Sequence, residues 1–343
     1  MKKVLVTGGC GFLGSHVCEL FRKENWEVIS VDNLTKYELS KTGFDVEAAR
    51  EYNLNFLNKI EVKNYKNDIC DIEALKRICK NVDYIVHTAA QPAMTLSISD
   101  PVYDFNNNIK GTLNILEVAK ELEIPVATCS TAHVYGNLFN KNLTESETRY
   151  EYNNVSIDED FPILQGSLTP LHVSKGAADL YTQAYSNSYN MAAAVFRLTG
   201  IYGPRQFGGE DHGWVANFVI RNILNKRISI FGSGKQLRDI LYVTDAARAF
   251  YNFYYHQRPG VYNLSGGEEC MTSLVECIEL INKVCPEETK VNFEEARKGD
   301  LNYFVSHSTN ARKYLDWKPS VLPIEGVENL ANWVRENIEI FKG

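Results

Sequence analysis

The sequence predicts an α/β protein: a doubly wound parallel sheet followed by a smaller mixed α/β C-terminal domain. Three observations predict it. A strand, a glycine-rich turn, a helix and a second strand fill residues 3–32. Strand and helix patterns then alternate as far as Arg197, as they do when parallel strands are joined by crossover helices. Beyond Leu198 the alternation gives way to loops, short strands and apolar helices. The expected division is 1–197 for the first domain, with 239–257 rejoining it, and 198–343 mainly for the second. A chain of 343 residues, 44% hydrophobic, can bury two such cores.

The opening unit carries the most chemistry. Val4, Leu5 and Val6 form an apolar strand that runs directly into a G-x-x-G-x-x-G turn at Gly8, Gly11 and Gly14. Gly8 permits the tight turn, Gly11 lets a pyrophosphate approach the backbone, and Gly14 lets the helix pack close to the strand. That helix has Leu13, Val17, Leu20 and Phe21 on one face, and its positive N-terminal end, with Phe12 and Leu13, is a place for phosphates. The second strand ends in Asp32, eighteen residues after Gly14. A carboxylate there accepts both ribose hydroxyls of an adenosine and repels a 2′-phosphate. Pieces in this order make a Rossmann-type site, with Asn33 on its rim. The expected cofactor is NAD.

The chain continues with a polar stretch over 34–59, helical near 46–57, a strand near 60–63 and a helix over 71–80. Asp68 and Ile69, between them, are placed to meet the adenine. The strand 84–87 ends in Thr88-Ala89-Ala90-Gln91, where Ala89 and Ala90 are small enough for backbone to pass under a dinucleotide. One long helix is expected over 103–121, then a strand over 126–129. Ser130-Thr131-Ala132-His133-Val134-Tyr135-Gly136 stands at that strand's carboxyl end, where open parallel sheets place their ligands. A helix over 171–189 and a strand over 193–197 complete the expected main sheet. Past it, residues 211–215 open an apolar helix, and a polar run over 294–300 contains Arg297. Arg238 and Arg297 are the expected diphosphate clamp, because guanidinium forks match phosphate oxygens.

Composition narrows the partners. A net charge of −7 argues against nucleic acid, although arginines and helix N-termini can still hold a small anion locally. No apolar run approaches membrane-spanning length, and the N-terminus reads as a working strand, so neither a membrane partner nor a signal peptide is expected. Eight cysteines are scattered without a C-x-x-C pair or zinc spacing. They read as free thiols in a reducing cytoplasm, with no metal site.

The T-G-G-x-G-F-L-G start, Asp32-Asn33-Leu34, the S-T-x-x-V-Y-G segment at 130–136, Ser174-Lys175, and R-D-I-L-Y-V-T-D from Arg238 together resemble one family. It is the extended short-chain dehydrogenase/reductases, the NAD-dependent epimerases and dehydratases of nucleotide sugars. The resemblance covers essentially the whole chain. Ala93-Met94-Thr95, Arg205-Gln206-Phe207, Gly213-Trp214-Val215 and Gly234-Lys235-Gln236 are most similar to its 2-epimerases. The resemblance implies bound NAD, a nucleoside-diphosphate sugar in a cleft, oxidation of a sugar hydroxyl to a ketone with hydride returned to the other face, and homodimers or homotetramers. It also implies Asn108 among the cofactor residues, and Gln91, Thr131, Arg205 and Trp214 with the two clamp arginines around the substrate. Helices 103–121 and 171–189, with Ile109, Leu113, Leu116, Leu180, Tyr181 and Tyr185, resemble a four-helix dimer interface.

The sequence departs from the family at its centre. The family's catalytic set is Ser or Thr followed by Tyr-x-x-x-Lys. Thr131 fits the first position and Lys175 the last, but the tyrosine position holds Leu171, which cannot exchange a proton. Lys175 is still expected to bind the nicotinamide ribose, and Thr131 to hydrogen-bond a substrate oxygen. Dehydratases of the family carry Asp-Glu directly after this Thr; here the pair is Ala132-His133, so dehydration is not expected. Two readings stay open: an enzyme, epimerase ahead of dehydrogenase, or an impaired relative that binds NAD and the nucleotide sugar. Two histidines can replace the tyrosine's proton transfer. His172 is preferred narrowly over His133, because Thr169-Pro170 favours a distorted first turn that brings it toward the vacancy.

Overall fold

The computed structural model describes residues 1–35, 37, 46–152, 157–210, 212–297 and 300–342. Asp211, Lys298, Gly299 and part of the 34–59 stretch, all read above, lie outside the described residues.

Seven strands make the main sheet: β1 (Lys3–Thr7), β2 (Glu27–Asp32), β3 (Lys63–Lys66), β4 (Tyr84–His87), β5 (Val126–Thr131), β6 (Ala193–Leu198) and β7 (Gly260–Leu264). They run in the order β7-β6-β5-β4-β1-β2-β3, and every pair is parallel. The order reverses between β1 and β4, the crevice where doubly wound sheets hold ligands. Registers Thr7↔Val31 and Thr7↔His87 set the carboxyl ends of β1, β2 and β4 level there. Strand alternation divides the core between the two faces. Val4 and Val6 face the first helix, Phe12–Lys23, with Phe21, Phe250 and Phe253, while Leu5 faces Leu75, Ile115 and Leu116.

The structure differs from the sequence expectation at three places that shape the site. The single helix expected over 103–121 is a short helix Pro101–Phe105, a π-helical turn Asn106–Lys110 and the helix Gly111–Glu121. Packing is tight at the join: a Cβ on Gly111 would come 2.3 Å from Ile69 Cδ1. The π-turn presents the buried Asn108 to partners on three segments, a common use of an inserted residue. Second, β3 starts at Lys63 rather than near 60, because Glu61 adopts a left-handed φ of 60° and Val62 N–H returns to Leu57 O at 3.0 Å. Third, the sheet does not end at β6. Helix Val243–His256 packs on the first helix, and β7 then pairs with β6 from Gly260↔Ala194 to Leu264↔Leu198.

A second core gathers Phe218, Val219 and Ile220 of helix Trp214–Ile223 with Ile281 of helix Leu274–Val284 and Leu330 of helix Pro323–Glu336. Strand Leu237–Asp239 lies beside it, between Met271–Ser273 and Tyr303–Phe304. Of the residues read as interfacial, Leu116 and Tyr185 face the subunit's own core, whereas Leu180 and Tyr181 are exposed. Among the described residues, no helix is long and apolar enough to cross a membrane.

Candidate active site

A cavity of about 800 Å³ opens at the carboxyl ends of β1, β2, β4 and β5 and reaches the second core. Its floor is the glycine turn. Gly8, at φ +68°, donates its N–H to Val31 O at 2.8 Å, and Gly11 donates to Gly8 O at 2.9 Å. A Cβ on Gly8 would fall 2.8 Å from Ala89 Cα, and one on Gly14 would fall 2.1 Å from Gly8 O. Only hydrogen fits at either position. Phe12, Leu13, Ala89 and Ala90 line the walls.

Asp32 has two tasks. Its Oδ2 accepts the Cys10 N–H at 2.9 Å and its Oδ1 the Leu34 N–H at 2.8 Å, which locks the turn while the carboxylate still lines the cavity. Asn33 also lines it and donates through Nδ2 to Asp68 Oδ2 at 3.0 Å. Asp68 itself does not line the cavity; its other oxygen accepts Cys70 N–H at 2.8 Å, and Ile69 provides the wall.

Arg50 and Asn53 were not singled out from the sequence. Arg50 donates to Thr35 O at 2.8 Å and Cys10 O at 3.3 Å, and Asn53 donates to Cys10 O at 3.0 Å. Both line the cavity, and the buried Asn53 Oδ1 has no hydrogen-bond partner among the described residues. Their spacing of three on helix Val46–Lys59 was the available signal, and it reads equally as a solvated face. Together, the glycine cradle, a first helical turn without acidic residues, the rim carboxylate and an orphaned amide oxygen fit a dinucleotide.

Gln91 and Asn108 are corrections. Asn108 Oδ1 accepts Gln91 N–H at 2.8 Å, its Nδ2 donates to Gln91 O at 3.0 Å, and Gln91 Nε2 donates to Asp104 Oδ1 at 2.8 Å. Both side chains are buried and neither lines the cavity, so they brace the Ala89–Ala90 wall from behind.

At the reactive end, Thr131 closes β5 and its Oγ1 accepts the His133 N–H at 3.3 Å, capping a 3-10 turn over Ala132–Tyr135. A buried network holds this turn from below. Ser130 Oγ donates to Asp179 Oδ2 at 2.8 Å, Arg197 grips both Asp179 oxygens at 2.8 and 3.1 Å, and Arg197 Nη1 donates to Tyr135 OH at 2.9 Å. Thr131, His133, Leu171 and Lys175 all line the cavity. Lys175 is 8% exposed, and its Nζ donates to Cys129 O at 3.5 Å. Burial pushes its ammonium down, against the opposing influence of Cys129 and Asp104.

His172 does not reach this end. It is fully buried outside the cavity lining, and its Nδ1 accepts the Thr169 N–H at 3.1 Å in a capping box. The preference for His172 fails because the first turn of helix Pro170–Tyr189 is regular and uses the imidazole as its cap. His133 does line the cavity, but burial, reinforced by His172 and Arg238, pushes its pKa down to about 3.

At the far end, Trp214, Arg238 and Arg297 line the cavity. Arg238 donates to Leu237 O at 2.8 Å and Leu301 O at 2.5 Å and lies 3.6 Å from Asp300 Oδ1. Arg297 stacks on Phe231 at 3.7 Å and donates to Glu210 O at 2.6 Å. Arg205 also lines the cavity, and its guanidinium donates to Ser15 Oγ at 3.1 Å and Glu19 Oε2 at 2.6 Å on the first helix, over the Phe56 ring. Those partners take Nε and one terminal nitrogen of the guanidinium that was read as a substrate ligand.

A dinucleotide cradle and an arginine-lined chamber thus share one cavity, the arrangement of a dinucleotide-dependent protein with a second ligand. The model of the NAD dependent epimerase/dehydratase family matches residues 4–265. The chain belongs to that family, and its cofactor is NAD. It is 32% identical to CDP-paratose 2-epimerase of Salmonella typhi, over 96% of this chain and 98% of that protein. It is 30% identical to UDP-glucuronate 4-epimerase of Thermodesulfobacterium geofontis, over 98% of each. Among solved structures it is similar to UDP-glucose 4-epimerase of Thermus thermophilus in complex with NAD, at 27% identity and a TM-score of 0.79 over 97% of this chain and 99% of that one.

Proposed function

We propose that the protein is an NAD-dependent nucleotide-sugar epimerase that works through a transient ketone, at C2 of the sugar. The observation that carries this reading is the continuity of the cavity from Gly8 and Asp32, past Thr131 and Lys175, to Trp214, Arg238 and Arg297. Similarity to a 2-epimerase supports the carbon, and Ala132-His133 in place of Asp-Glu speaks against dehydration.

In this reading Gly8, Gly11, Phe12, Leu13, Gly14, Asp32, Asn33, Ile69, Ala89 and Ala90 hold the dinucleotide, and Lys175 lies by its nicotinamide ribose. NAD, when bound, supplies the acceptance and return of a hydride. Thr131 Oγ1 orients the reacting hydroxyl, with the Ser130–Asp179–Arg197 network keeping it in place. Arg238 and Arg297 hold the diphosphate and Trp214 the nucleoside. Residues 1–197 with 239–257 serve the cofactor and 198–343 mainly the nucleotide sugar, in a homodimer or homotetramer.

A second reading rests on Leu171: without the tyrosine's phenol the protein binds both ligands and turns neither over. Incubating purified protein with CDP-, UDP- and dTDP-sugars separates these, with NADH absorbance and NMR of the sugar as readouts. Epimerisation gives a transient absorbance and a C2-inverted product. Lasting NADH with a ketone product marks a dehydrogenase, and calorimetric binding with neither signal marks the impaired relative.

A further inference from the structure

We propose that Lys175, not a histidine, is the group that takes and returns the proton of the sugar hydroxyl. The proposal rests on the hydride-transfer reading above. Lys175 follows Leu171 by four residues, so both side chains lie on one face of helix Pro170–Tyr189, and both line the cavity. Leu171 ends in methyl groups. The amine is therefore the polar group that this helix face offers where the family has its phenol.

The surroundings of Nζ suit a neutral amine. Among the described residues it has no ion pair, and its hydrogen bond to Cys129 O is long at 3.5 Å. A charge buried to this degree with one weak partner is costly. The titratable groups that face it come from three elements. Cys129 on β5 is held as the thiol by burial. His87 on β4 is bound at both ring nitrogens, to Thr7 Oγ1 at 2.7 Å and Thr112 Oγ1 at 3.0 Å, and burial takes its pKa down to about 3. Asp104, on helix Pro101–Phe105, spends Oδ1 on Gln91 and Asn108, and burial raises its pKa. Cys129 and Asp104 are the two groups that oppose the neutral amine, and burial of Lys175 outweighs them.

The competing base is weaker. A general base works best with a pKa near the operating pH, and His133, at about 3, holds a proton poorly under neutral conditions. A desolvated lysine is a recognised route to a basic amine at such pH. In the step itself, the sugar O–H bond breaks and its proton goes to the Nζ lone pair, giving an ammonium. NAD, when bound, would accept the hydride of the same carbon, and a ketone would remain. When the hydride returns to the opposite face, an ammonium N–H bond breaks and the hydroxyl re-forms.

The test needs no substrate. The whole protein is trace-labelled with acetic anhydride at a series of pH values, and acylation of Lys175 is read by peptide mass spectrometry. Its midpoint is expected at lower pH than that of the chain's exposed lysines; a midpoint among theirs overturns the proposal. Lys175→Arg then puts a fixed charge in place of the amine, one that cannot lose a proton. With NAD binding of the variant measured by calorimetry and NAD supplied at saturation, single-turnover NADH formation is expected to fall by about 10²- to 10⁴-fold. An arginine variant that keeps the parent rate also overturns it. If no nucleotide sugar reduces bound NAD even in the parent, the epimerase reading fails, while the labelling still decides the state of Lys175.

Discussion

The imidazole of His172 meets that of His133 edge-on, with ring centroids 5.5 Å apart and planes at 87°. One ring is a helix cap and the other faces the cavity, so the pair joins the start of helix Pro170–Tyr189 to the turn after Thr131. His172→Ala removes the acceptor of the Thr169 N–H and leaves a void behind His133. A stability loss of about 1–3 kcal/mol is expected in urea unfolding. If stability is unchanged while the pH profile of NAD reduction moves, His172 acts in proton transfer after all.

Asp32→Ala is expected to weaken NAD by the loss of charge-assisted hydrogen bonds worth about 1.5–3 kcal/mol each. Because Asp32 also holds the Cys10 and Leu34 N–H groups, the glycine turn loosens too. Titration calorimetry with NAD and NADP checks both affinity and selectivity. A variant that binds the two as the parent does removes Asp32 from the site.

Gly14→Ala tests the cradle itself. The added Cβ would lie 2.1 Å from Gly8 O, so the helix or the turn must shift. Overpacking of this kind costs about 1–3 kcal/mol, and loss of NAD retention on purification is expected alongside. Normal stability with normal NAD content would show that the turn yields freely.

Val102, Phe105, Val173, Leu180 and Tyr181 are exposed on two neighbouring helices, Pro101–Phe105 and Pro170–Tyr189. An apolar surface shared by packed helices is the expected contact of a homodimer. Sedimentation velocity at micromolar concentration should give at least a dimer, and Leu180→Glu should dissociate it. A monomeric parent excludes the interface.

Burial holds His16, His87 and His133 each at about 3, below the ordinary 6.5. Between these values the unfolded chain binds protons that the folded chain refuses, so stability falls as pH falls. Each histidine contributes a slope of about 1.4 kcal/mol per pH unit within that window. The urea midpoint should therefore drop steeply below about pH 6. A midpoint flat from neutrality down to pH 4 would show that these rings accept protons without unfolding.

The sequence by itself determined the glycine turn and its carboxylate. The positive φ of Gly8, the contact of Gly14 with Gly8 O and the strand end at Asp32 are local, all set within the first 32 residues. That Thr131 and Lys175 line one cavity was legible through the family resemblance of their motifs, one at a strand end and one on a helix. The tertiary structure decided everything that depends on a partner distant in sequence. Asn108 became a brace because a π-turn aims it at Gln91, and Arg205 turned to Glu19, 186 residues earlier. His172 was taken by Thr169, and β7 joined the sheet across a helix. A polar side chain spends its hydrogen bonds on whichever group folding brings within about 3 Å. Burial then sets its charge, as for Lys175 and His133, and neither condition is written in the neighbouring residues.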